Sequence, residues 1–253
     1  MSPTLTVFVN GLFNPKNEEN WSAIEALLVT QFDCPAVHVH NPTLALDIEE
    51  QADKLKTKVE KSSKWALGAA LVGMGAVMLD RYLDTGYTMK VIVATMDTVK
   101  EKMTEQAKTV SFQIHKEIAQ HCEDHPDLKL INLVAHSHGG WCTKELLEQG
   151  LADELAMTFG LKFDVFIMGC PVLVTRTAAV RNVVQLHNAL DVISLRYAES
   201  SSTNEPYVIS SKETPYHGCI EYLSWLSKDW ESIEKVLLNT SAINYEKDLK
   251  GLI

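Results

Sequence analysis

The chain has 253 residues, of which 46% are hydrophobic and 22% charged, a composition that supports a sizeable folded core and excludes a disordered protein. A net charge of −10, with no strongly basic run anywhere, excludes a general nucleic-acid binder, because holding a polyanion depends on clustered Lys and Arg. The cysteines Cys34, Cys122, Cys142, Cys170 and Cys219 are odd in number and scattered without a Cys-x-x-Cys pair, so they read as reduced thiols rather than as zinc or redox centres.

The first strand is read at Leu5-Thr6-Val7-Phe8-Val9, a β-rich run that stops at the turn signal Asn10-Gly11 before Leu12-Phe13-Asn14-Pro15. Asn20 is expected to cap a helix carrying Trp21, Ile24, Leu27, Leu28 and Phe32 at helical spacing, and Pro35 separates that helix from a second strand, Ala36–His40. A chain that begins β-α-β predicts an α/β class, with a mostly parallel central sheet and helices on both faces. The opening residues Met1–Leu5 lack a basic leader followed by an apolar core, which predicts a cytoplasmic location and leaves signal-independent export open.

Between Asn41 and Pro126 the composition turns helical, with Met89–Ala94 as its one strand-like run. Residues 43–104 are expected to form a helical cap inserted in a single domain spanning 1–253. Within the cap, Trp65–Leu79 is apolar but falls short of the roughly 20 residues a helix needs to cross a bilayer. It reads as a helix buried against the core or lining an apolar pocket. The small residues Gly68, Gly73 and Gly75 make peripheral membrane contact or helix association through 65–79 the alternative. A long helix from about Thr95 to His121 follows.

Leu130–Ala135 then reads as a buried strand and Trp141–Glu148 as a helix, with Ser137 at the turn between them. Ala135-His136-Ser137-His138-Gly139 has the form of a nucleophile elbow, Gly-x-Ser-x-Gly, with alanine in the first glycine position. The flanking positions are small because the helix folds back closely over the strand. Further strands are expected at Lys162–Met168, leaving through Gly169-Cys170-Pro171, and at Val183–His187 and Tyr207–Ser210. The last expected helix runs from about Cys219 to Leu238, with Ile220, Leu223, Leu226, Trp230, Ile233 and Leu237 as its apolar stripe.

A serine hydroxyl becomes a useful nucleophile when a base takes its proton, and that base is usually a histidine oriented by a carboxylate. Asp191 follows the strand ending near His187, and His217 follows the next short strand, giving the chain order Ser, Asp, His. Glu199 and Asp164 are rival acids, Asp164 the weaker because it falls near the start of its strand. Two alternating histidine pairs, His38-x-His40 and His136-x-His138, have chelating spacing. Neither is followed closely by Asp-His, and no Gly-x-Gly-x-x-Gly follows an early strand, so no metal and no cofactor is assigned.

On the elbow, on Asn188-x-x-Asp191-x-Ile193, on Tyr216-His217-Gly218 and on the order of strands and helices around them, the chain resembles the α/β-hydrolase superfamily, in particular its lipase and esterase branch. The resemblance covers about residues 5–40 and 105–238. It implies an α/β-hydrolase fold in which Ser137 is the nucleophile, His217 the base and Asp191 the acid that orients it. It also implies an oxyanion hole from the backbone N–H groups of Leu12 and His138, with Gly11, Phe13 and His136 on the substrate side of the site. Asn10 stands where a histidine is common in the loop, which puts the loop's side-chain support in question. The implied activity is hydrolysis of carboxylic esters through an acyl-enzyme, with lipid or fatty-acyl esters as the first substrate class. The alternative is a catalytically inactive member serving as a binding or membrane-associated interaction protein.

Overall fold

The computed structural model describes residues 3–11, 18–41, 87–188, 207–211, 219–228 and 230–231. The chain divides into two compact units, Met1–Asn41 with Ala107–Ile253, and Pro42–Gln106. In chain order the described elements are β1 (Thr4–Val9), α1 (Glu18–Phe32), β2 (Ala36–Val39), α2 (Tyr87–Asp124), β3 (Leu130–His136), α3 (His138–Glu148), α4 (Leu151–Phe159), β4 (Lys162–Met168), β5 (Val180–Asn188), β6 (Tyr207–Ser211) and α5 (Cys219–Lys228).

Among the described residues six strands form one parallel sheet in the order β2-β1-β3-β4-β5-β6. The order reverses once, at β1, which has β2 on one side and β3 on the other. Because every pairing is parallel, the carboxyl ends of β1, β2 and β3 lie along the same edge of the sheet. In open α/β sheets the crevice outside such a reversal is the usual place for a site.

Alternation along the strands builds two buried faces. Phe8, Val134, Phe166 and Val184 are in register across four strands and all but fully buried. They join Ile24 and Leu28 of α1 and Tyr222, Leu223 and Leu226 of α5 in one core cluster. Each such side chain taken from water contributes about 1.5–3 kcal/mol. The other face carries Val7, Leu133 and Val165 in register. There α3 approaches so closely that a Cβ on Gly140 would lie 2.8 Å from Ile167 Cγ2. On α2, Ala107, Val110, Ile114, Ile118 and Cys122 form a buried stripe at helical spacing. Gln149 Nε2 donates to Ser111 Oγ at 3.3 Å and His115 lies 3.8 Å from Glu154, tying α2 to the α3–α4 region. Helices on both faces of a parallel sheet are the α/β class expected.

Several local readings change. Asn20 lies inside α1 and is not its cap, since the helix already begins at Glu18. Met89–Ala94 belongs to α2, a case of β-branched propensity giving way to the continuous helix around it. β5 starts at Val180 instead of Val183 because the polar side chains of Arg181 and Asn182 bond across to Asp164 of β4, which prolongs the pairing. Leu151–Phe159 forms a helix of its own between Gly150 at φ 74° and Gly160 at φ 69°. No described helix is long and apolar enough to cross a membrane. The apolar run Trp65–Leu79, with the rest of the expected cap up to residue 86, lies outside the described residues.

Candidate functional site

Ser137 occupies the single residue between β3 and α3, with φ 55° and ψ −123°. L-residues rarely adopt such a backbone, at a cost of about 1–3 kcal/mol, and it persists only where the surroundings enforce it. Here its N–H donates to Met168 O at 2.8 Å, extending the β3–β4 ladder, and its carbonyl accepts from Gly140 N–H at 3.0 Å, opening the helix. The chain therefore changes from strand to helix within one residue. Serine at a helix N-cap ordinarily turns its hydroxyl onto the first-turn N–H groups, but the Ser137 side chain makes no such capping bond. The next residue, His138, starts α3, where backbone N–H groups lack intrahelical acceptors and the helix dipole is positive.

The small residues of the motif follow from contact distances. A Cβ on Gly139 would lie 2.3 Å from Val9 O and 2.9 Å from Asn10 O, so the first turn of α3 rests directly on the backbone leaving β1. Ala135, fully buried in β3, fills the motif's first small position. Gly11 faces the serine itself: a Cβ there would lie 2.7 Å from Ser137 Cβ and 3.2 Å from His136 Nδ1. Sequence positions 11 and 137 thus meet at the reversal of strand order.

A buried polar network braces this meeting point. Asn10 is fully buried; its Nδ2 donates to Gly11 O at 2.7 Å and to Asn41 O at 3.2 Å, while its Oδ1 accepts from Asn41 N–H at 2.8 Å. His38 Nε2 lies 2.8 Å from the same Oδ1. Asn41 returns the clasp, its Nδ2 donating to Asn10 O at 3.2 Å and to His138 Nδ1 at 3.0 Å. The support for the loop that the sequence left in question comes from Asn10 itself, with Asn41 and His38. Asn41 was not legible as a site residue, because it belongs to no motif. The signal was the run of polar residues closing consecutive strands, where burial obliges each to find a partner.

The other expected site residues fall into two groups. His136 is 6% exposed, and its ring lies 5.9 Å from that of Tyr222 on α5. His136 and His138 do not form a chelating pair along one strand, because the Ser137 turn sends one toward Tyr222 and the other toward Asn41. His38 and His40 do share a side, with ring centroids 5.6 Å apart, and the His38 ring stacks on Trp21 at 4.8 Å. Among the described residues no group of three or more His, Cys, Asp or Glu is arranged to hold a metal ion. Leu12, Phe13, Asp191, Glu199 and His217 lie outside the described residues.

Asp164 is the rival acid whose surroundings can be followed. It is the third residue of β4, at the amino end of the sheet and away from Ser137. Its carboxylate receives Arg181 Nε at 3.1 Å, Arg181 Nη2, and Asn182 Nδ2 at 2.9 Å. It is a structural ion pair. Asp164→Asn is expected to cost about 1–2 kcal/mol, discounted for the half-exposed arginine, while leaving the reactivity of Ser137 unchanged. Thermal unfolding beside active-site labelling of the same variant checks both halves.

Two buried cysteines are held as protonated, unreactive thiols. Cys142 is fully buried in α3, and burial, reinforced by neighbouring Cys170, holds its thiol protonated far above the usual range. At the opposite end of the sheet Cys122 borders a cavity of about 350 Å³, with His125, Leu128 and Phe159 among its walls. Its thiol is pushed up to about 11 by burial and by Glu123, with Lys129 opposing. A raised value means the folded state holds the proton longer. The stability this group lends is therefore complete below pH about 9, where the unfolded thiol begins to ionise, and is lost as pH rises to about 11. Iodoacetamide at pH 8 is expected to alkylate Cys122 about 100-fold more slowly in the folded than in the unfolded chain, as read by peptide mass spectrometry.

Compared with protein-family models, with curated proteins and with solved structures, the chain matches none.

Proposed function

We propose that this chain is a serine hydrolase of the α/β-hydrolase kind, acting on carboxylic esters. The observation that carries the reading is the backbone of Ser137, held at φ 55° and ψ −123° at the carboxyl end of β3, with Gly11 against it from β1. A protein does not keep a non-glycine residue in that region without enforcement, and strain of this kind clusters at functional sites. In this reading Ser137 Oγ attacks the ester carbonyl, His217 takes its proton and returns it to the leaving alcohol, and Asp191 orients the imidazole. The N–H groups of His138 and Leu12 hold the tetrahedral oxyanion, each donor worth about 3 kcal/mol in the transition state. Water then releases the acid from the acyl-enzyme.

Lipid or fatty-acyl esters are the substrate class proposed, on the apolar composition of Trp65–Leu79 within the insertion expected at 43–104. A panel of p-nitrophenyl esters of increasing acyl length tests the reading. Hydrolysis that survives a chelator and favours the longer chains supports it. Equal rates at all lengths remove the acyl-chain specificity, and no hydrolysis by folded protein leaves a binding or interaction module on this fold.

A further inference from the structure

The hydrogen-bond directions in the buried clasp are fixed by backbone groups. Asn10 Oδ1 accepts a main-chain N–H, that of Asn41, and Asn10 Nδ2 faces two main-chain carbonyls, those of Gly11 and Asn41. The amide orientation of Asn10 therefore has one solution. The same holds for Asn41, whose Nδ2 faces the carbonyl of Asn10 and so is the donor toward His138 Nδ1. An imidazole nitrogen that accepts carries no proton.

We propose that Asn41 is a positioning residue that fixes the His138 side chain as the neutral imidazole protonated on Nε2, and that this bond locks the start of α3 to the segment after β2 and, through Asn10, to the turn after β1. The role rests on the hydrolase reading for its kinetic consequence, whereas the state of the ring does not. The neighbouring thiol is compatible with this assignment, since its S–H can point to the same nitrogen. Cys142 Sγ lies 3.8 Å from His138 Nδ1, and its buried thiol keeps its proton. The ring lies in the first turn of α3, where a positive charge would meet the positive end of the helix dipole.

Two consequences follow for the proposed chemistry. With Nδ1 committed to Asn41, that nitrogen of His138 is not a base for the serine proton, in keeping with the expectation that His217 takes this role. The clasp also holds the start of α3 and the carbonyl of Gly11 in one network. Asn41 grips the ring of His138, whose N–H is one expected donor, and Asn10 grips the carbonyl of Gly11.

The test uses the full chain with 15N-labelled histidine and long-range 1H–15N correlation at pH 7, with His138 assigned by loss of its signals in His138→Gln. The expected pattern for His138 is an unprotonated Nδ1 and a protonated Nε2. A protonated Nδ1 in the wild type, as the other tautomer or as imidazolium, overturns the proposal without recourse to any variant. Asn41→Asp replaces the donor by an acceptor, so His138 is expected to move its proton to Nδ1, and kcat on p-nitrophenyl acetate to fall about 10- to 100-fold with KM little changed. A folded Asn41→Asp with the wild-type ring pattern, or with wild-type kcat, overturns it. A wild type that shows the expected tautomer but hydrolyses no ester counts against the hydrolase reading and supports the assigned ring state.

Discussion

Ser137→Ala is expected to lose about 10⁴- to 10⁶-fold in kcat on p-nitrophenyl esters, and Ser137→Gly to be equally inactive yet to unfold at the higher temperature of the two. On the proposed hydrolase reading the loss follows from removing the nucleophile, since binding and the oxyanion donors alone would retain only a residual acceleration. The order of stabilities follows from the backbone. At φ 55° and ψ −123° alanine carries the same steric conflict as serine, whereas glycine has no Cβ and relaxes it. Relief of about 1–3 kcal/mol is partly offset by the extra freedom of glycine in the unfolded chain, about 0.5–1 kcal/mol. The net gain of about 1 kcal/mol corresponds to about 2–4 °C in Tm for a protein of this size. If Ser137→Gly is instead the less stable of the pair, as glycine is at an ordinary position, the turn is not strained and the reason for placing a nucleophile there weakens.

Gly139→Ala is expected to be the most damaging single methyl group near the site. Its Cβ would meet Val9 O at 2.3 Å and Asn10 O at 2.9 Å, and both are main-chain atoms that cannot swing aside. Relief requires α3 to lift from the end of β1, which separates Ser137 from Gly11 and stretches the Asn41–His138 bond. Overpacking against side chains costs about 1–3 kcal/mol, and against backbone the upper end or more applies, so a fall in Tm of about 6–12 °C is expected. Gly150→Ala makes a useful contrast. Its Cβ would meet nothing within 4 Å, and its cost should come only from the left-handed backbone at φ 74°. Equal losses in the two variants would show that close contact at Gly139 is not what the motif protects.

The sheet was readable from sequence because its strands are runs of apolar, β-branched residues between turn signals. Lys162–Met168 has the bounds expected of it, and Val7, Val134 and Val165 lie inside strands where the pattern placed them. The position of Ser137 was equally legible, because an elbow is a local event whose residue types are dictated by close packing on either side. What the pattern missed depends on contacts between distant parts of the chain. Asn10 stands where a histidine is common, and its role depends on Asn41, 31 residues away, which clasps it. His38 and His40 had the spacing of ligands, yet His38 stacks on Trp21 and bonds Asn10, because a polar ring at a strand end also serves to satisfy a buried amide. Met89–Ala94 misled for the opposite reason, as local composition was outweighed by the helix that contains it.

The central claim is that Ser137 is an activated nucleophile, and labelling the full chain with a fluorophosphonate, followed by peptide mass spectrometry, tests it most directly. The account predicts one adduct, on Ser137, absent from a folded Ser137→Ala. A folded wild type that takes up no probe, or an adduct that persists in Ser137→Ala, would contradict it.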